Sequence, residues 1–202
     1  MSPINSETSV KIFICYAHAD QELLGRLEEH LSLLKNSGKI TVWHDQEIPP
    51  GTNWEDQMNT CLNGADLILL LVSASFMASE SCWNKEVPVA LERHKAGMAL
   101  VIPVLLKPVD WKDSPLGQLQ VFPTGAKPIT QWNDQDTALE DVVQGIRRVV
   151  EHLLTSGTSC STQYAEASPI MWSLDDDEAD PFEGEGYMVT GEIDDRWLYL
   201  KK

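Results

Sequence analysis

Positive charge is what this chain has least of. Its 202 residues carry 15 lysines and arginines against 31 aspartates and glutamates, a formal net charge of −16. That deficit argues against nucleic acid, whose binding is dominated by cations meeting phosphates. It argues equally against an anionic membrane surface. Cysteine is sparse as well: Cys15, Cys61, Cys82 and Cys160 show neither paired metal-ligand spacing nor a disulfide framework. They read as reduced thiols, and no metal site is expected from their spacing. The longest unbroken apolar run, Leu67 to Val72, is about a third of a membrane span. The polar leader, residues 1–10, lacks the charged and apolar regions of a signal peptide. The expectation is a soluble, cytoplasmic protein with no membrane partner.

Hydrophobic residues make up 43% of the chain, enough for a real core, and their periodicity alternates between two types. KIFICY (11–16) reads as a strand. Asp20 stands where it can cap a helix carrying Leu23, Leu24, Leu27, Leu31 and Leu34, and Gly38 is placed to stop it. KITVW (39–43) is a second strand, followed by the loop HDQEIPPGTN, whose Pro-Pro-Gly forbids regular structure. Trp54, Met58 and Leu62 mark a short helix. DLILLLV (66–72) is apolar on both faces, as a strand covered on both sides requires. A helix containing Glu86 should run to about Lys95, with Pro88 bending or loosening it. ALVIPVLL (99–106) is a fourth strand, Lys127–Thr130 a short fifth, and the last helix spans roughly Thr137 to Leu154. Together these predict a flavodoxin-like three-layer α/β domain over 11–155, with a five-stranded, mainly parallel sheet in the order 2-1-3-4-5.

Beyond the domain the composition shifts. Residues 156–202 hold 11 acids and 3 bases, a net −8, while residues 1–155 hold 20 and 12, also −8. Residues 156–186 read as an acidic linker. Residues 187–202 fit either a terminal β-hairpin or the end of a disordered acidic tail.

In such a sheet the ligand crevice opens at the carboxyl ends of strands one and three, where the winding order reverses. Tyr16, Ala17 and His18 arrive there after strand one, and Ser73 after strand three. The loop after strand two, with His44, Asp45 and Glu47, can lean over it, and the helix after strand three brings Cys82, Trp83 and Glu86. Several users of this layout are absent. No Gly-x-Gly-x-x-Gly follows strand one and no Gly-x-x-x-x-Gly-Lys-Ser/Thr exists. Strand three ends in Ser73-Ala74 rather than in a receiver domain's aspartate. For Glu86 itself two readings stand open: an acid suited to the positive end of a helix dipole, or a carboxylate serving chemistry in the crevice.

Three stretches then carry a resemblance. KIFICYAHAD resembles the first box of a TIR (Toll/interleukin-1 receptor) domain, and VWHDQEIPPGTNW its second box and proline-glycine loop. SFMASESCWNKE, in which Ser79, Cys82 and Glu86 are spaced Ser-x-x-Cys-x-x-x-Glu, is similar to the Ser-x-x-Cys-x-x-Glu signature of prokaryotic and other enzymatic members. The resemblance covers roughly 10–152. It implies cleavage of NAD+ at the nicotinamide–ribose bond, by hydrolysis, cyclisation or base exchange, in an immune, antiphage or stress response. NAD+ is then a substrate, and no cofactor is needed. Glu86 matches the catalytic glutamate. Tyr16, Ala17, His18 and Asp45 match positions that meet the nucleotide, with Glu47, Ser73, Cys82 and Trp83 beside them. The resemblance also implies self-association through the loop at Ile48, Pro49, Pro50 and Gly51. The rival reading it carries is a non-catalytic interaction scaffold. A third is a regulatory fragment whose acidic tail docks to a partner.

Overall fold

The computed structural model describes residues 9–44 and 54–155. Expectations for the leader, for Asp45, Glu47 and the 48–51 loop, and for the linker and terminal hairpin fall outside the described residues. Four parallel strands form the sheet: β1 (Val10–Cys15), β2 (Ile40–Trp43), β3 (Leu67–Val72) and β4 (Leu100–Leu105), in the order β2-β1-β3-β4. Register pairs Val10 with Ile40, Ile12 with Leu67, and Leu67 with Leu100.

β3 shows why the sheet lies between two helical layers. All six of its residues are buried, and successive side chains point to opposite faces. Leu67, Leu69 and Leu71 join one apolar cluster, and Ile68, Leu70 and Val72 join another. The first cluster packs under α1 (Gln21–Asn36) and α5 (Gln135–Thr155). The second is covered by α2 (Trp54–Gly64) and by the run from α3 (Ala74–Ala78) through a π turn (Glu80–Glu86) into α4 (Val87–Lys95).

Helix α1 buries Leu23, Leu24, Leu27, Leu31 and Leu34, a stripe of helical period. It stops where Gly38 takes φ +71°, a conformation a side chain disfavours, so that Gly38 N–H and Lys39 N–H can close onto the carbonyls of Lys35 and Leu34. In α5 Leu139, Val142, Val143, Ile146 and Val150 are buried, with Val149 and Leu153 packed at the margin. Its start is tied by Asp134, whose carboxylate accepts from Thr137 Oγ1 at 2.6 Å and Asp136 N–H at 3.1 Å.

Two expectations are corrected. Lys127–Thr130 is not a strand, and among the described residues the sheet has four strands. Beyond β4 the chain makes a single parallel bridge, with Phe122 N–H donating to Pro103 O at 2.9 Å and Leu105 N–H to Phe122 O at 2.7 Å. It then turns through short 3-10 segments. Pro123 and Pro128 have no N–H to give a ladder, and Gly125 at φ +77° turns the chain between them. Asp20, secondly, stands at the N-cap position of α1 but makes no side-chain cap bond. Its buried carboxylate turns inward, accepting from Ser73 Oγ and pairing with Lys107 Nζ at 2.6 Å. A buried carboxylate gains more from a cation and a hydroxyl than from one helix N–H.

Candidate functional site at the switch point

Because β1 is followed by β2 on one side and neighbours β3 on the other, the winding reverses between β1 and β3. A cavity of about 300 Å³ opens there, at the strands' carboxyl ends. One wall is the chain leaving β1, from Tyr16 to Ala19; the other is Ser75, Ser79, Ser81, Cys82 and Glu86 from the broken helix; Met58 of α2 contributes to the lining.

Glu86 is the last residue of the π turn and is only 6% exposed. Its placement follows from the local sequence. Ser79 interrupts the helix in extended conformation and restarts it, its hydroxyl accepting from Cys82 N–H at 3.3 Å. Pro88 then lies in the first turn of α4. In a continuous α-helix its ring would press on the carbonyl of Asn84, and it has no N–H to offer. The turn before it widens instead, and Val87 N–H reaches back five residues to Cys82 O. Cys82 and Glu86, four residues apart, both line the cavity, as an α turn would also allow; the wider turn adds Ser81, five residues before Glu86, to the same side. The expected bend at Pro88 is therefore a change of helix type just upstream of it. Ser81 Oγ donates to Glu86 Oε1 at 3.1 Å and so orients the carboxylate.

Behind the wall, Cys82 Sγ donates to Tyr16 O at 3.2 Å, fastening the broken helix to the end of β1. Cys15 is buried beside it. Burial, a hydrogen bond with Cys82 and the nearby Glu86 charge push its thiol well above the usual thiol range. A protonated, enclosed Cys15 is not a nucleophile. Tyr16 meets His18 and His44 edge to face, at ring separations of 6.0 and 6.2 Å. His44, buried at the end of β2, has its Nε2 3.6 Å from Glu28 of α1.

The residues named from sequence thus separate. Tyr16, Ala17, His18, Cys82 and Glu86 line one cavity. Ser73 does not: it is fully buried, accepts from Phe76 N–H at 3.1 Å as the cap of α3, and donates to Asp20. Trp83, partly buried, packs edge-on against Phe76 at 6.3 Å, at the margin of the second core cluster. Asp45 and Glu47 lie outside the described residues. Sequence reading missed Ser81, whose contact with Glu86 needs the widened turn. It also missed the Asp20–Ser73–Lys107 tie, whose members come from three separate segments. No described helix is long and apolar enough to cross a membrane.

A parallel sheet in the order β2-β1-β3-β4, helices on both faces and a carboxylate-bearing crevice at its switch point define a doubly wound α/β domain. The comparisons narrow it: the TIR-domain family profile matches residues 12–143, and the chain belongs to that family. It is 40% identical over 157 residues to the uncharacterized protein y4lF of Sinorhizobium fredii, covering 78% of this chain and 49% of y4lF. The chain therefore spans about half the length of that relative. The fold is also similar to the crystal structure of the TIR domain of the Toll-related receptor TRR-2 from Hydra magnipapillata. That match has a TM-score of 0.50 at 18% identity, over 69% of this chain and 97% of the receptor domain.

Proposed function

We propose that this TIR domain cleaves NAD+ at the nicotinamide–ribose bond, with Glu86 as the catalytic residue. The observation that carries the reading is a buried carboxylate, oriented by Ser81, on the wall of the switch-point cavity. Breaking an N-glycosidic bond develops oxocarbenium character on the ribose. A carboxylate held against that face, away from bulk water, stabilises the charge as it forms. Nicotinamide already carries positive charge in NAD+ and departs neutral, so no general acid is required. One carboxylate then suffices where ordinary glycosidases use two. A volume of about 300 Å³ is at the lower end for ligand pockets, and suits one end of a dinucleotide rather than the whole. Tyr16, Ala17 and His18 flank that end. The product class, ADP-ribose or a cyclic isomer, supplies a depletion or signalling output suited to immune, antiphage or stress responses. Self-association through the 48–51 loop, and a regulatory partner for the acidic residues after 155, belong to the same reading.

The test is chromatography of NAD+ incubated with purified protein, dilute and then concentrated or crowded, for the parent, Glu86→Gln and Glu92→Gln. Glu92 is exposed on α4 and loses the same charge on substitution. Glu86→Gln is expected to lose on the order of a hundredfold or more in rate, while Glu92→Gln keeps the parental rate. Equal losses in both variants would reduce Glu86 to an ordinary helix acid. A parent that leaves NAD+ intact even when assembled would hand the domain to the scaffold reading.

A further inference from the structure

The broken helix does more than present Glu86. It sets Cys82 beside Cys15 of β1, and the two sulfurs and a Glu86 carboxylate oxygen all lie within 4.8 Å of one another. All three residues are buried, and they come from two elements that the Cys82–Tyr16 hydrogen bond holds together. We propose that Cys15, Cys82 and Glu86 form a binding site for a thiophilic divalent cation of the zinc class. Occupation of that site withdraws Glu86 from the cavity and so inhibits the domain.

The chemistry of the donor set decides the class of ion. Two sulfurs and one carboxylate oxygen suit zinc, whereas magnesium and calcium take oxygen ligands and keep more of them. Tetrahedral zinc with bonds of about 2.3 Å to sulfur and 2.0–2.2 Å to oxygen places its ligand atoms roughly 3.5–3.8 Å apart. From the 4.8 Å bound, the cluster reaches that spacing by closing at most roughly 1.0–1.3 Å. Three protein ligands leave a fourth position for water, and the cavity is on that side, since Cys82 and Glu86 line it. The same opening gives the ion its path inward, with Cys15 as the inner ligand. Each thiol that ligates releases its proton to solvent, and no oxidation is involved. Cys82 exchanges its weak donation to Tyr16 O for a bond to the metal. Glu86, with an oxygen committed to the cation, no longer offers a free negative charge to a ribosyl cation. This inhibitory half rests on the NAD-cleaving reading; the binding half does not.

The experiment is a titration of the full chain with Co²⁺ under a non-thiol reductant, following the sulfur-to-cobalt charge-transfer band and its displacement by Zn²⁺. The parent is expected to bind one ion per chain, with Mg²⁺ and Ca²⁺ failing to compete. Cys15→Ala and Cys82→Ala, each checked for parental melting, should weaken binding by no less than the loss of an outer-shell partner, about 10–100-fold. A Cys61→Ala, Cys160→Ala double variant should bind as the parent does. Should either buried alanine variant fail to fold, Glu86→Gln decides: it keeps both sulfurs, and its band should require at least about tenfold more metal. No band in the parent would overturn the site. So would parental affinity in folded Cys82→Ala, or loss of the band on removing only Cys61 and Cys160. For the second half, Zn²⁺ should depress NAD+ cleavage by the parent, and its ratio of rates with and without metal should rise toward one in Cys15→Ala. Equal fractional inhibition in both would overturn the inhibitory role. If the parent does not cleave NAD+, the cobalt band still decides the site.

Discussion

Helix α5 and the run from Ala74 to Lys95 cover opposite faces of the same sheet, and they are built differently. α5 runs unbroken from Gln135 to Thr155, burying an apolar stripe of helical period. The other run is three pieces: a short α3, a π turn and α4, divided at Ser79 and again ahead of Pro88. α5 meets one requirement, burial of a stripe, and a regular helix meets it best. The broken run must close the second core cluster through Phe76, Cys82, Val87 and Ala90 and also bring Glu86 to a cavity. Irregularity lies where the second requirement is added, as expected of π turns at functional sites.

Substitutions in the two helical runs should act differently. The largest effect should come from Ile146→Ala in α5, which empties a fully buried site. Such truncations cost about 2–5 kcal/mol, and chemical denaturation should show the midpoint falling with the slope unchanged. Next is Gly145→Ala. A Cβ there would run into the ring of Phe122, so α5 could no longer sit as closely on the segment that bridges β4. The expected loss is about 1–3 kcal/mol, and a stability equal to the parent's would show that the ring can step aside.

Pro88→Ala addresses the broken run. It restores an N–H and removes the ring from the carbonyl of Asn84, so an ordinary α turn becomes accessible. Pro88 sits in the first turn of α4, so the freer unfolded chain should cost about 0.4–1 kcal/mol, and on the NAD-cleaving reading cleavage falls because Glu86 and Ser81 lose their relation. Cleavage unchanged at this small loss of stability would show that Ser79, not Pro88, sets the π turn.

The smallest effect concerns the α1–α5 surface. Hydrogen bonds from Arg26, then His30, hold Asp136 below the usual carboxylate range. The Arg26 Nη2–Asp136 Oδ1 distance is 2.6 Å. A depressed carboxylate contributes stability above its unfolded pKa and loses it as pH falls through the folded value. Asp136→Asn should therefore melt slightly below the parent near neutral pH, and the difference should vanish in acid and shrink in high salt. A gap that persists at the acid end would mean that the side chain acts by packing rather than by charge.

How much was legible follows from range. The leucines of α1 and the valines of α5 repeat at helical spacing, and β3 is apolar at every position, so those elements and the parallel sheet could be read directly. The segment after β4 was misread because its one bridge to the sheet falls earlier, at Phe122, while Lys127–Thr130 is short and forms no bridge. Asp20 was assigned to a cap because its competitors, Ser73 and Lys107, are distant in sequence. Ser73 and Trp83 were grouped with the crevice by proximity along the chain, yet one caps and the other packs, since direction and not distance along a helix decides what a side chain meets.

For this protein the sequence alone determined the alternation of elements, the family boxes and the place of Glu86 beside the crevice, because each depends on local periodicity or on a contiguous motif. Only the tertiary structure decided that the helix carrying Glu86 widens into a π turn, that Ser81 turns onto its carboxylate, and that Cys15 and Cys82 share its surroundings. Those relations join β1 to the helix beyond β3. A register of spacings along one chain carries no information about which atoms the sheet brings within a few ångströms of one another.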